Sequence, residues 1–301
     1  MLNPQMHSKD VPNWVLTLPD LDDQQFIQWA ALLEERVGVV VPVERKSFLV
    51  TGLKLRMQEI GCADYQEYYQ RMRHNSGAQE WSMLVDRLTV HETRFFRHKP
   101  SLRLVTEQVL PTAPAAGDDA HTLQVWSVGC ATGEEAYSLA MLIDAHFRAL
   151  GGRYFFGITG TDISRPALEK ARNGIYARRR LTDIPLDLHA AYCVELENER
   201  FQIHPELRNR VCFSQLNALL AGAAPYAKMD LIFCQNLLIY FERERREHIA
   251  LQLVEQLRPG GVLVLGPGEL VGWQHPQLER VRHPDTLAYR RLPAAQAKEA
   301  S

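Results

Sequence analysis

Apolar positions keep two different rhythms along this chain, and the change between them divides it. From Leu21 to about Leu88 they recur at three- and four-residue steps. Phe26, Trp29, Ala30, Leu33 and Val37 line one side of a helix that Gly38 stops. A second helix is predicted from Glu44 to Ile60, ending at Gly61, with shorter ones around Asp64–Arg73 and Gln79–Leu88. After the polar, turn-forming stretch Pro111–Ala120 the pattern changes. Apolar strands are predicted at Leu123–Val128, Tyr154–Gly160, Asp230–Cys234 and Val262–Leu265. Helices at Glu134–Leu150, Arg165–Asn173 and Glu242–Leu257 separate them. Strands that alternate with helices in this way imply a parallel sheet covered on both faces, an α/β fold.

The segment from Leu188 to Phe213 departs from that alternation. Tyr192–Leu196 and Arg200–His204 flank Glu197-Asn198-Glu199 as the arms of a β-hairpin, with Val211–Phe213 as a third strand. The expected organisation is an all-α part over 1–90 and an α/β part over 91–292. A small antiparallel β excursion is inserted at about 188–215. Residues 1–20 hold three prolines and read as a loosely ordered lead-in, and 293–301 as a disordered tail.

Composition narrows the classes. A chain of 301 residues has room for two domains, and its formal net charge of −2 makes nucleic acid no default partner. Its five cysteines are scattered without a C-x-x-C pair, which fits reduced thiols better than a disulfide framework or a metal site. Cys130 and Cys234 read as small buried residues at strand ends. No apolar run reaches the ~20 residues needed to span a bilayer, and no secretory signal is evident. A soluble cytoplasmic monomer, without metal and without direct membrane insertion, is expected. Arg45, Lys46, Lys54 and Arg56 on the second helix form either a solvated face or a dock for an acidic partner.

The chemistry gathers at strand ends. Residues 125–135, Val-Trp-Ser-Val-Gly-Cys-Ala-Thr-Gly-Glu-Glu, run from a buried strand into a glycine turn that carries two acids. In open α/β sheets the ligand lies beyond the carboxyl ends of the strands, at the switch point beside the first one. Gly129 and Gly133 do not form G-x-G-x-x-G, and Glu134 and Glu135 would repel a pyrophosphate. They suit a ligand with an adenosine body and a cationic amino group, such as S-adenosylmethionine. Acids in a first helical turn also simply complement the macrodipole. Asp162, ending the second strand, could accept hydrogen bonds from ribose hydroxyls or cap the helix that follows. Asn236 and Tyr240 stand at the mouth of the strand 230–234. The run Thr89–Arg97 joins the two parts, with Phe95 and Phe96 as anchors.

Taken together, Thr93-Arg-Phe-Phe-Arg97, Trp126–Glu135, Gly160-Thr-Asp162, Ala171-Arg-Asn-Gly-Ile-Tyr176 and Phe233-Cys-Gln-Asn236 resemble the chemotaxis receptor methyltransferases, the CheR family, collinearly over about 21–291. The resemblance implies a Rossmann-like class I methyltransferase sheet with an all-α N-terminal domain and an inserted β-subdomain. It implies methyl transfer from S-adenosylmethionine to glutamate side chains of a chemoreceptor cytoplasmic helical domain, with S-adenosylhomocysteine as product. The family's cofactor residues map onto His91, Thr93, Arg97, Glu135, Asp162, Asn217, Ala218, Gln235 and Asn236, beside the turn residues Gly129 and Glu134. Arg97 would pair with the cofactor carboxylate or orient the acceptor glutamate, and Tyr240 would shape the methyl pocket. Three positions depart from the family's usual pattern: His91 for Asn, Gln235 for Arg, and Ala218 for Leu. They bear on cofactor affinity more than on reaction type. The short loop at Glu197–Arg200 implies action without a receptor C-terminal tether. The alternatives are a catalytically weak regulatory protein that binds the cofactor or its product, and a methyltransferase for another acceptor. A nucleotide-binding dehydrogenase is disfavoured by the acids after the glycine turn.

Overall fold

The computed structural model describes residues 20–74, 78–88, 92–112, 122–151, 154–226 and 228–293. The expected lead-in and tail lie outside these residues except for Asp20 and Pro293, as does most of the connection at 111–120. The chain divides into two compact units, one within 1–91 together with 164–166, the other within 92–163 and 167–301.

The first unit is built from four helices, α1 Asp23–Val37, α2 Lys46–Glu59, α3 Tyr65–Arg73 and α4 Ala78–Leu88. Asp22 starts α1 through a reciprocal cap: its carboxylate accepts the Gln25 N–H at 2.7 Å while the Gln25 side chain accepts the Asp22 N–H at 3.2 Å. Gly38 ends α1 at φ +76°, a left-handed position that costs glycine little. The predicted stripe is buried at Phe26, Trp29, Leu33 and Val37, with Leu32 added. Trp29 packs on Tyr68 with ring centroids 5.3 Å apart, and Leu49, Leu53, Met57 and Met72 of the same unit are also buried.

Three of the four cations expected on the second helix are paired with acids, and Arg45 lies before α2. Lys46 reaches Asp23 at 2.6 Å and Lys54 reaches Asp20 at 3.0 Å. The Arg56 guanidinium forks onto both oxygens of Glu80, at 2.9 and 2.6 Å, and touches Glu59 at 2.7 Å. Tyr68 donates to the same Glu80 at 2.8 Å. Sequence spacing showed where these charges sit on their own helix, but their partners lie on others.

The second unit begins with α5 Lys99–Leu104, continued by a π-helical turn at Val105–Val109. The main sheet contains β1 Thr122–Val128, β2 Phe155–Asp162, β6 Val211–Gln215, β7 Met229–Cys234, β8 Leu257–Leu265, β9 Leu278–Val281 and β10 Leu287–Arg291. The small one contains β3 Ile175–Ala177, β4 Cys193–Leu196 and β5 Arg200–Ile203. The helices are α6 Glu134–Leu150, α7 Arg165–Asn173, α8 Leu186–Tyr192, α9 Pro205–Arg208 and α10 Arg243–Gln256. The main sheet runs in the order β6-β2-β1-β7-β8-β10-β9. Its first five strands are parallel, and β10 is antiparallel to both neighbours.

Alternate residues of the central strands feed two cores. Val125, Leu231, Phe233, Val262 and Val264 pack on the α6 side with Leu139 and Met141. Trp126, Ile232, Cys234, Leu263 and Leu265 pack on the α10 side with Ile249 and Leu253. A strand buried on both faces is apolar almost throughout, which is why these three, β1, β7 and β8, are visible as apolar runs.

Two expectations need correction. Val211–Phe213 belongs to the main sheet, with Val211 opposite Ile158, not to the small one. The third strand of the small sheet is β3, where Tyr176 lies opposite Phe201. Three residues are too few to show an alternation, and Tyr176 is placed by its contacts with Phe95 and Phe201 at 4.9 and 5.7 Å. The antiparallel pair β9 and β10 and the helix α5 were not expected at all. Glu279 and Arg280 break the apolar pattern of β9.

Replacing Glu80 by Ala would strand the Arg56 guanidinium. The substitution is expected to cost the helical unit about 2 kcal/mol, read by urea denaturation through Trp29 and Trp81 fluorescence. Arg45→Ala is expected to change it by less than about 0.5 kcal/mol.

Candidate active site

The strand order reverses at β1, which lies between β2 and β7, and the chain leaves β1 through the glycine turn. Gly129 takes φ +73° and Gly133, at the start of α6, φ +94°. A Cβ on Gly133 would stand 2.8 Å from the Ala171 side chain. The turn is held by β2: the Gly129 and Cys130 N–H groups both donate to the Thr161 carbonyl, at 2.8 and 2.9 Å. The Ala131 N–H donates to the Asp162 carboxylate at 2.9 Å, and the Gly133 N–H to the Cys130 carbonyl at 2.9 Å. Tyr176 donates its hydroxyl to the Thr132 carbonyl at 2.8 Å. Four N–H donors of the turn, those of Gly129, Cys130, Ala131 and Gly133, are thus engaged within the protein.

The two acids that follow have separate surroundings. Glu134 is 3% exposed and accepts the Thr132 hydroxyl at 2.6 Å. Burial raises its pKa, against that hydrogen bond. Glu135 accepts the Ser127 hydroxyl of β1 at 2.7 Å. Burial pushes its carboxyl up to about 8, opposed by the Ser127 bond, reinforced by Glu269, and opposed again by Arg97. These positions exceed what a helix-dipole role requires, because such acids normally stay in water. Asp162 does not cap a helix: α7 begins at Arg165, and its carboxylate is turned back onto Ala131.

The other candidates come in on neighbouring elements. Phe95 and Phe96 are buried as anchors. Phe96 is at φ +51°, with its N–H on the Ser138 hydroxyl of α6 at 3.0 Å. This brings Arg97, exposed and donating to the Glu92 carbonyl at 2.5 Å, within electrostatic reach of Glu135. Asn217 follows β6, and its side chain accepts the Leu219 N–H at 3.0 Å to start the short 3-10 segment Ala218–Ala223. Gln235 and Asn236 follow β7, with Asn236 in the left-handed region at φ +60°. Tyr240 ends the turn Leu238–Tyr240 and is half-buried. The topology thus gathers Gly129, Glu134, Glu135, Asp162, Asn217, Ala218, Gln235, Asn236 and Tyr240 at the carboxyl ends of four adjacent strands, with Thr93 and Arg97 on the segment anchored to α6. His91 lies outside the described residues.

One residue here was missed. Glu269, 3% exposed, accepts the Leu238 N–H at 2.8 Å and the Gly266 N–H at 2.6 Å, with the Leu237 and Ile239 N–H groups also bonded to it. It binds the loop after β7 to the loop after β8. An acid among glycines just past an apolar strand, Leu265-Gly-Pro-Gly-Glu269, was the available signal. Burial raises its pKa against those four hydrogen bonds. Among the described residues no three His, Cys, Asp or Glu side chains gather as a metal ligand set. No helix among them is long and apolar enough to cross a membrane.

A seven-stranded sheet of this order, with an acid-bearing turn at its switch point, defines a class I S-adenosylmethionine-dependent methyltransferase fold. Two family models match in tandem: "CheR methyltransferase, all-alpha domain" over residues 24–89 and "CheR methyltransferase, SAM binding domain" over 91–286. The chain belongs to the CheR methyltransferase family. It is 28% identical to the "Chemotaxis protein methyltransferase" of Borreliella burgdorferi, over 78% of this chain and 83% of that one. It is 32% identical to "Chemotaxis protein methyltransferase 1" of Pseudomonas aeruginosa, over 81% and 89%. It is 30% identical to the "Probable biofilm formation methyltransferase WspC" of the same species, over 88% of this chain but only 61% of that relative.

The raised carboxyls fix a sign. Between the ordinary carboxylate range and about 8, Glu135 in the folded chain holds a proton that the unfolded chain has released. Stability therefore falls as pH rises through that window, and Glu134 and Glu269 act in the same direction. The melting temperature of the ligand-free protein is expected to fall between about pH 5 and about pH 8, and less steeply in Glu135→Gln, as differential scanning calorimetry would show.

Proposed function

We propose that this protein transfers a methyl group from S-adenosylmethionine to glutamate side chains of a chemoreceptor cytoplasmic helical domain, forming methyl esters that adjust receptor signalling. The observation that carries the cofactor half is Glu135, a half-buried carboxyl whose pKa is pushed up to about 8, beside a turn four of whose N–H groups are engaged within the protein. An anion there would hold that carboxyl in its protonated form, whereas an ammonium supplies the counter-charge that lets it ionise. In this reading Glu135 receives the ammonium, Asp162 the ribose hydroxyls and Arg97 the carboxylate. Asn217, Ala218, Asn236 and Thr93 border the remainder, and the family resemblance adds His91.

S-adenosylmethionine, when bound, supplies an electrophilic methyl on a sulfonium. The acceptor glutamate is already ionised near neutral pH and needs no general base. Attack unites opposite charges, so the protein's work is to position the groups and exclude water. That accords with a site that offers anchors and buried acids. Arg97, on a segment fixed by Phe95 and Phe96, stands where a second carboxylate could be steered, and Tyr240 lines the same mouth. The acceptor class comes from the likeness to chemotaxis methyltransferases. The β4–β5 loop supports independence from a receptor tether: only residues 197–199 separate Leu196 from its partner Arg200. A cytoplasmic monomer without a resident metal completes the reading.

Calorimetric titration with S-adenosylhomocysteine is expected to give one-to-one binding with Kd in the micromolar range, about −8 kcal/mol. Absence of binding would sink the methyltransferase reading, and binding without base-labile methyl incorporation into any receptor fragment would favour a regulatory protein. Arg97→Ala is expected to weaken binding by about 2 kcal/mol, the scale of a charged hydrogen bond. With S-adenosylmethionine at pH 7, binding is expected to release protons as Glu135 ionises. Titrations in buffers of different ionisation enthalpy would detect this, and Glu135→Gln would abolish it.

A further inference from the structure

Gln235, where the family usually has arginine, does not stand loose in the site. Its amide nitrogen donates to the Ser101 hydroxyl at 2.7 Å and to the Leu265 carbonyl at 3.2 Å. Ser101 is fully buried, on the first turn of α5. Its hydroxyl lies 2.9 Å from His98 Nδ1, and its N–H donates to the same nitrogen at 3.3 Å, so the imidazole caps the helix. Because that nitrogen accepts from the backbone, the hydroxyl must give its proton to His98 and take one from Gln235. Burial holds the His98 pKa below its ordinary value, with Asp285 opposing, which favours the neutral ring this order requires. The chain of bonds has one direction, from Gln235 through Ser101 to His98. It links the ends of β7 and β8 to the start of α5, one residue beyond Arg97.

We propose that Gln235 is a positioning residue: through Ser101 and His98 it fixes the start of α5, and so sets Arg97 to meet the carboxylate of the bound cofactor. The proposal rests on the assignment of Arg97 to that carboxylate. Loss of the family's cation at 235 is then no loss of a cofactor contact, because the amide serves the helix that carries the remaining cation. A glutamate at 235 could not substitute, since it offers only acceptors to a carbonyl and to a hydroxyl already committed as donor.

The test compares two ligands on the full chain, S-adenosylhomocysteine and 5′-methylthioadenosine, which shares the nucleoside but lacks the amino-acid end. Gln235→Met and Ser101→Ala are each expected to weaken S-adenosylhomocysteine about tenfold, the worth of one hydrogen bond network link, while leaving 5′-methylthioadenosine unchanged. The double variant is expected to be no worse than either single one, because both break the same chain. Should 5′-methylthioadenosine bind too weakly to titrate, the loss from Gln235→Met must instead vanish in an Arg97→Ala background. Equal weakening of both ligands, additive losses or no loss would overturn the proposal. If Gln235→Met fails to fold, as its melting curve would show, Ser101→Ala carries the same comparison. Wild-type protein that binds neither ligand would instead defeat the cofactor reading beneath it.

Discussion

A half-buried carboxylate needs a counter-charge, and at the head of α6 the protein supplies only part of one. Glu135 has a hydroxyl from Ser127 and the distant pull of Arg97, set against its own burial and the neighbouring Glu269. Around it the backbone donors of Gly129, Cys130, Ala131 and Gly133 are engaged with protein oxygens. The site is thus unbalanced in one direction, short of positive charge and closed to further negative charge. The pH response of the ligand-free protein traces to that imbalance.

Holding such a site open requires anchors that are themselves neutral or fully satisfied. Glu269 meets this need with four backbone partners across two loops. Gln235 meets it with an amide between a hydroxyl and a carbonyl. Asn236, next along the chain from Gln235, takes the left-handed region that asparagine tolerates better than most residues. The Phe95–Phe96 pair does the same with apolar surface, seating the segment that leads to Arg97 against α6 through Ser138.

What could be read from the sequence was governed by how local each signal is. The strands β1, β7 and β8 and the helix α6 were legible because burial on two faces, or on one helical side, leaves a continuous imprint. Glu135 and Asp162 were legible because a turn after a buried strand confines what can sit there. Tyr176 in β3, and the membership of Val211–Phe213 in the main sheet, depend on partners far along the chain, and three-residue strands leave no imprint. The α2 cations show the same limit: Arg56 and Glu80 are 24 residues apart, and nothing near either one announces the pair. Glu269 escaped notice because its partners are backbone groups, which every residue has.

The chain leaves β2 at Asp162 and returns along the same edge from Arg210 to Leu216: the Ile158 N–H donates to the Arg210 carbonyl at 2.9 Å and the Leu216 N–H to the Asp162 carbonyl at 3.0 Å. The whole of the small sheet lies in the chain between Asp162 and Arg210. Its length and surface are therefore decoupled from the register of the central strands. An insertion seated in this way can vary at its far loop, residues 197–199, without shifting the central strands, but not at Tyr176, whose hydroxyl holds the Thr132 carbonyl of the glycine turn.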